Sequence, residues 1–496
     1  MGESMSAWGR VGVVLGWILL GVLPLQAQVK AKVPAQGGSA AEAMVMLSDI
    51  HFDPFHDPAK VALLLAAPVE QWEGILREPD SPDQASRFAA LQKTCSARGI
   101  DTPYALLGSA LEAAHAEAKD ARFVAVPGDL LVHGFDCRFK AVLGDQINHR
   151  EFAEKTFIYV VRRLQAGFPG VPVYVGLGNN DSSCGHNEMD VNDHFLRATA
   201  ADVVAGFRGA RAAEVRQASA DYQIAGFYSM PFGAALPRTR MLVLNDSYMA
   251  THYANCAGQP DDRGAKLQLA WLDKELAAAH AHGEKVWVMA HLPTGVDPYA
   301  TFARAKSLDQ LCTGTKPEMF LVTEGLSEVL LRHADVVRLA LFAHTHMDEF
   351  RVLQNPGGGD SVPVKFSSSI SPVDGNAPSF TVGRVKPPSA TLEDYTVYTG
   401  SNETGVATVW SREYGFDQTY GVKSFSPAVL AGLVSRMQAD PQGETEAGKA
   451  YRKAYFAGFE PSPLDPVWRQ YGCALNHTTS EAFHNCVCVN DAGQPR

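Results

Sequence analysis

The chain has 496 residues, 46% of them hydrophobic and 20% charged, a length and balance that support a large buried core and exclude wholesale disorder. Its net charge is −11, which excludes a sequence-independent grip on nucleic acid. An anionic substrate therefore needs local positive charge, from metal ions or clustered basic side chains.

Residues 1–27 read as an export signal, with Arg10 as the positive start, Val11 to Leu25 as the apolar stretch and Ala27 as the last residue before cleavage. A retained anchor is the alternative. Cleavage would leave a secreted or periplasmic protein with no stable membrane insertion. Residues 28–42 are small and polar, a flexible lead-in.

From Ala43, apolar strands alternate with helical stretches. "AMVML" (43–47) is a strand followed by Asp49 and His51. "PYALLGSALEAAHAEAKD" (103–120) has helical spacing, and "RFVAVPGD" (122–129) is a strand ending in Asp129, with His133 four residues on. After the helical stretch 151–168, "VPVYVGLGNND" (171–181) ends in Asn179, Asn180 and Asp181. "TRMLVLND" (239–246) precedes a helix that stops at Gly283. "KVWVMAHLP" (285–293) delivers His291, and "VVRLALFAHTH" (336–346) delivers His344 and His346. Strand-like runs with Gly/Pro breaks follow up to Gly400, then helix over 426–457 and an irregular tail with three cysteines. The alternation predicts layered α/β structure around a largely buried sheet.

Five strands thus end in carboxylates, imidazoles or amides, at the edge where open α/β sheets bind ligands. Singly, each has a structural explanation: an Asp caps a helix, Asn-Asn-Asp makes a turn, and a lone His is a hydrogen-bonded core residue. Jointly, desolvating several Asp and His side chains is costly unless something pairs them, and a metal cluster supplies that pairing. The two imidazoles of His-x-His share one face of an extended segment. The donors are oxygen and nitrogen without thiolate, which suits Zn first, with Mn or Fe(II) as alternatives. Seven candidates, Asp49, His51, Asp129, Asn179, His291, His344 and His346, are too many for one tetrahedral ion. They fit two divalent ions sharing a carboxylate, roughly 3.5–4 Å apart, a clamp suited to attack on phosphorus.

Eight cysteines, an even number, suggest disulfides in an exported protein without fixing their pairing. "CVC" (486–488) has no CxxC companion, which argues against a thiolate metal site. His56 and His186 lie near the motifs and either touch substrate or are solvated loop residues. His280 and His282 complement the dipole at a helix end. Asn245, Asn402 and Asn476 start N-x-S/T triplets.

In order, D-x-H, G-D, G-N-x-D, a lone His and H-x-H resemble the calcineurin-like metallophosphoesterase superfamily, and within it the acid sphingomyelinase-like phosphodiesterases and endopolyphosphatases. "DTPYALLGSAL", "AHTHMDEF" and "SSSISPVDGNAPSF" resemble that branch as well. The resemblance implies a four-layer α/β/β/α sandwich over 43–385 and a mainly helical, cysteine-containing extension over 386–496. It implies one metal on Asp49, His51 and His346, a second on Asn179, His291 and His344, and Asp129 bridging them. A metal-bridging hydroxide would attack phosphorus, and His133 would protonate the leaving oxygen. The family mostly reads Gly-Asn-His where this chain has Asn180. An amide can donate to a phosphoryl oxygen but cannot surrender a proton as imidazolium does. That tilts the expected substrate toward small phosphorylated molecules with better leaving groups, polyphosphate or nucleotide anhydrides, besides phosphodiesters. Sphingomyelinase-like or phosphomonoesterase activity, or a non-catalytic binding protein on the same fold, are the alternatives. Asp181 is expected to orient the loop.

Overall fold

A computed structural model of the chain describes residues 40–355, 359–457 and 462–488. The expected export signal and nearly all of the lead-in lie outside the described residues. No helix among the described residues is long and apolar enough to cross a membrane.

Twelve strands are described: β1 (Glu42–Met46), β2 (Ala121–Val126), β3 (Val173–Val175), β4 (Tyr228–Pro231), β5 (Thr239–Val243), β6 (Lys285–Met289), β7 (Val337–Phe342), β8 (Glu349–Gln354), β9 (Ser361–Phe366), β10 (Ser379–Lys386), β11 (Thr391–Gly400) and β12 (Trp410–Gly415). They form two mixed six-stranded sheets, in the orders β12-β11-β10-β1-β2-β3 and β4-β5-β6-β7-β9-β8. In the first sheet β1, β2 and β3 are parallel; in the second β5, β6, β7 and β9 are parallel. The parallel strands read as continuous apolar runs because both faces are covered. On β2, Phe123 meets Trp287 of β6 edge-on at 5.7 Å, and Tyr228 of β4 donates to the Val175 carbonyl of β3 at 2.9 Å. The sheets therefore pack on each other, with helices outside, as the α/β/β/α expectation required.

The division expected after Val385 needs correction, since it falls inside β10. Strands β11 and β12 continue the first sheet by antiparallel pairing, so the sandwich runs to Gly415 and the helical region begins beyond it. The helices Phe416–Tyr420, Pro427–Gln438, Glu446–Tyr455, Trp468–Ala474 and Ser480–Val487 make up that region. It covers the free edge of β8, where Asp348 and Val352 donate their backbone N–H groups to the carbonyls of Tyr455 and Leu475. An uncovered edge would leave such groups to pair with other chains.

All eight cysteines are paired: Cys95–Cys137, Cys184–Cys256, Cys312–Cys488 and Cys473–Cys486. The last two join the C-terminal helices to each other and to the helix Leu308–Thr313. They sit in a small separate core with Val296, Leu311 and Phe483. The "CVC" sulfurs are thereby committed to disulfides.

Candidate dinuclear metal centre

Every parallel strand of the two sheets up to β7 points its carboxyl end at one place. The loop after β1 carries Asp49 and His51, and that after β2 carries Asp129. The loops after β3 and β6 carry Asn179 and His291, and that after β7 carries His344 and His346. The first two loops are stitched together: Asp49 N–H donates to the Gly128 carbonyl (3.1 Å) and His51 N–H to the Asp129 carbonyl (2.9 Å). The G-D and G-N motifs have a steric reason. A Cβ on Gly178 would lie 2.1 Å from Asp129 Oδ1, and one on Gly128 (φ 117°) would lie 2.4 Å from Gly178 N. Only two glycines let these loops meet.

The donor atoms converge. Asp49, His51 and Asp129 form one group of potential ligands, Asp129, His291 and His344 a second, and His51, His133 and His346 a third, with the donor atoms in each group within 4.8 Å of one another. Asp129 and His51 each appear in two of these groups. Asp129 Oδ2 lies 3.4 Å from His51 Nε2 and 3.2 Å from His291 Nε2, while Asp49 Oδ1 lies 3.6 Å from His346 Nε2 and 3.8 Å from His291 Nε2. Asp49, His51, Asp129, Asn179, His291 and His346 are buried, and His344 is partly so.

The buried atoms also fit cations. Asp49 Oδ2, Asn179 Oδ1 and His291 Nδ1 have no hydrogen-bond partner, an expensive arrangement for a protein alone. His51 donates from Nδ1 to the Leu131 carbonyl at 2.8 Å, which fixes the tautomer with Nε2 bare, 3.2 Å from His346 Nε2. Such outer bonding of an imidazole is the usual support of a metal ligand. Asn179 turns its Nδ2 to His186 Nδ1 at 3.0 Å and keeps its oxygen free. Together the donors make a dinuclear divalent-metal site. The protein groups by themselves disturb one another's protonation. Burial, and then the charge of Asp129, push Asp49 up to about 7. Burial and neighbouring imidazoles push His51 and His344 down to about 3. On Asp129 burial is overcome by His291 and His51, which hold its carboxyl well below the usual range. Divalent charge relieves both conflicts, since it favours carboxylate and neutral imidazole together.

Five of these residues adopt left-handed backbone angles, Asp49 (φ 45°), His51 (42°), Asp129 (56°), His344 (71°) and His346 (64°). Non-glycine residues seldom sit there, and strain of this kind gathers at functional sites.

His133 stacks on His51 with ring centroids 3.8 Å apart. Its Nδ1 is 2.9 Å from Asp101 Oδ1, and its backbone N–H donates to Asp101 Oδ2 at 3.3 Å. Arg138 braces the pair, donating to Asp101 at 3.4 Å, to Asp53 at 2.8 Å and to the His133 carbonyl at 2.9 Å. Asn180 does not point a free amide at the site. Its Nδ2 and its backbone N–H donate to the two oxygens of Asp129, each at 2.8 Å, so it orients that carboxylate. Asp181 accepts from the backbone of Leu130, Leu131 and Gly178, which locks the second and third loops together. His56 packs on Phe88, away from the donor cluster, and Asn245 is fully buried.

Four further residues support the site. Asp101 sits at the start of the quoted "DTPY" stretch, and Asp374 lies in "SSSISPVDGNAPSF", 3.2 Å from His346 Nδ1. Asp246 follows β5 and accepts from the N–H groups of His291 and Leu292, each at 3.1 Å. It occupies the same strand-end position as the candidate ligands, and that signal was available in "TRMLVLND". Arg138 gave no signal, because a lone Arg in a helix looks solvated.

The fold is of the calcineurin-like metallophosphoesterase type, and the site has the dinuclear metal-binding geometry typical of metal-dependent phosphoesterases. The chain is related at low identity to acid sphingomyelinase-like proteins. It is 24% identical over 403 residues to the cyclic GMP-AMP phosphodiesterase SMPDL3A of Rattus norvegicus, covering 78% of this chain and 82% of that protein. It is 22% identical over 405 residues to the acid sphingomyelinase-like phosphodiesterase 3b of Homo sapiens, covering 78% and 80%. A dimetal phosphatase structure from Danio rerio covers 75% of this chain and 98% of its own at 13% identity, with a TM-score of 0.37. No family model matches the chain.

Proposed function

We propose that this protein is an exported hydrolase of phosphodiester or phosphoanhydride bonds, with Asp49, His51, Asp129, Asn179, His291, His344 and His346 holding two divalent cations, zinc first among them. The observation that carries this reading is the convergence of bare, buried oxygen and nitrogen donors from five loops on one point. Two bound cations would supply neutralisation of phosphoryl oxygens and a lowered water pKa. The remaining work falls to the chain. Asp101 and Arg138 hold His133 against His51, and His133 carries a proton to the departing oxygen. Asn180 keeps Asp129 aligned through two hydrogen bonds. It brings no proton of its own, which favours leaving groups that need little help, such as phosphoanhydrides. Four disulfides support an oxidising compartment, in line with the export signal.

Two relatives bear phosphodiesterase names, and one of those names includes a cyclic dinucleotide, so cyclic GMP-AMP belongs among the trial substrates. Metal-loaded protein assayed on polyphosphate, ATP, cyclic GMP-AMP, bis-p-nitrophenyl phosphate and sphingomyelin should turn over anhydrides or diesters and leave sphingomyelin the poorest. Absence of turnover on the whole panel would replace the hydrolase with a binding protein on the same fold.

A further inference from the structure

One cation at the rim of the site has no part in the account above. Arg98 is solvent-facing, with a side chain 64% exposed. Its Nη1 lies 3.3 Å from one oxygen of Asp374, whose other oxygen lies 3.2 Å from His346 Nδ1. A guanidinium therefore stands one carboxylate away from an imidazole of the metal cluster.

The loop that carries Arg98 is held from three sides. Cys95 is tied to Cys137. Gln92 Nε2 donates to the Gly99 carbonyl at 3.0 Å. A Cβ on Gly99 would lie 2.3 Å from the Val373 carbonyl, so this loop is pressed against the segment that presents Asp374. Two residues beyond Gly99, the buried Asp101 takes up His133. An exposed ion pair adds little to stability, too little to account for such a mounting. A rigid mount does suit a guanidinium that must meet a ligand, because orientation is then settled before binding. One carboxylate contact leaves most of its five N–H donors unused, and their planar fork matches phosphate oxygens.

The surroundings share this bias. His186 rests its Nδ1 against the amides of Asn179 and Asn180, at 3.0 and 3.1 Å, and its Nε2 has no protein partner among the described residues. On a chain of net charge −11, a fixed cation at the mouth is what draws in a polyanion, and it would repel a quaternary ammonium headgroup.

We propose that Arg98 forms a second phosphate subsite beside the metal centre, which selects substrates carrying linked phosphates, inorganic or nucleoside polyphosphates, over diesters with a single phosphate. The proposal deepens the hydrolase reading above and rests on it. The test compares wild type, Arg98→Ala and Arg98→Lys, each metal-loaded, by kcat/KM on tripolyphosphate and on bis-p-nitrophenyl phosphate, and by equilibrium binding of tripolyphosphate. Arg98→Ala should lower the ratio of the two kcat/KM values by about tenfold or more and weaken tripolyphosphate binding to a like extent, with Lys recovering part of both. An unchanged ratio, unchanged binding, or a wild type that fails to bind tripolyphosphate overturns the subsite. A wild type inert on both substrates sinks the hydrolase reading instead, and the binding measurement still decides Arg98.

Discussion

Replacing Asp101 by Asn isolates what the Asp101–His133 pair contributes. The substitution keeps size and shape and removes one negative charge from a fully buried position. Burial draws the pKa of His133 down, but the carboxylate of Asp101 and its bond to Nδ1 raise it by more, for a net upward shift. Protonated His133 is therefore present below that raised value and is lost as pH rises through it. The pair's stabilising effect follows the same sense, complete below the unfolded imidazole value of about 6.5 and fading as pH climbs through the folded one. A charge-assisted hydrogen bond of this kind contributes about 1.5–3 kcal/mol, equivalent to roughly 10–150-fold in rate if all of it acts on the proton donor. Arg138 keeps its 2.8 Å contact with Asp53, so the fold should survive with a modest loss of Tm. The assay is kcat against pH on a substrate with a poor leaving group, alongside metal content. Asp101→Asn should slow turnover, move the basic limb of the profile to lower pH and leave bound metal unchanged. Its loss should not exceed that of His133→Ala. A profile superimposable on the wild type would refute the role given to both residues.

Asp129→Asn should lower metal content measured by elemental analysis and abolish activity, because it removes the carboxylate that lies nearest to both His51 and His291. Chelation should lower Tm, and zinc at a hundredfold excess over Kd should raise it again by restoring about 2.7 kcal/mol of stability; an unmoved Tm would count against a metal centre in the native fold. Asp246→Ala frees two backbone N–H groups behind His291. It should cost about 1–3 kcal/mol of stability and weaken metal binding more than it changes the pH profile, the reverse of Asp101→Asn.

The candidate ligands were legible because each follows an apolar run, so strand periodicity and a polar terminus fall together at Asp49, Asp129, Asn179, His291 and His344. Asp246 obeys the same rule and escaped only because the residues it serves are backbone N–H groups, which no side-chain pattern displays. The placing of Asn180 could not be read from sequence, since whether an amide faces substrate or carboxylate depends on the distance between two loops 51 residues apart. Strand β11 is visible in the sequence as an extended segment and β12 is not, and the membership of both in the first sheet depends on long-range pairing. Short helices such as Val61–Ala66 and Trp72–Arg77 are too brief to show a period, and their bounds are set by the core against which Trp72 packs.

The backbone angles at the site bear on how the fold was shaped. Left-handed conformations at Asp49, His51, Asp129, His344 and His346 each cost roughly 1–3 kcal/mol relative to relaxed alternatives. Glycine would remove that cost and supply no donor. The strain persists because the parallel strands beneath are largely buried and over-determine the loops: Asp49 and His51 are hydrogen-bonded into the second strand's loop, and Ser369 donates to the Asp49 carbonyl at 2.9 Å. Alternation of strand and tight left-handed turn thus aims five side chains back over the sheet edge toward one centre, where relaxed turns would let them splay into solvent. Strain and convergence have one cause, and a variant that relaxes the turn, such as His346→Gly, should gain local backbone freedom while losing metal, a trade that separates a site under functional constraint from a set of ordinary turns.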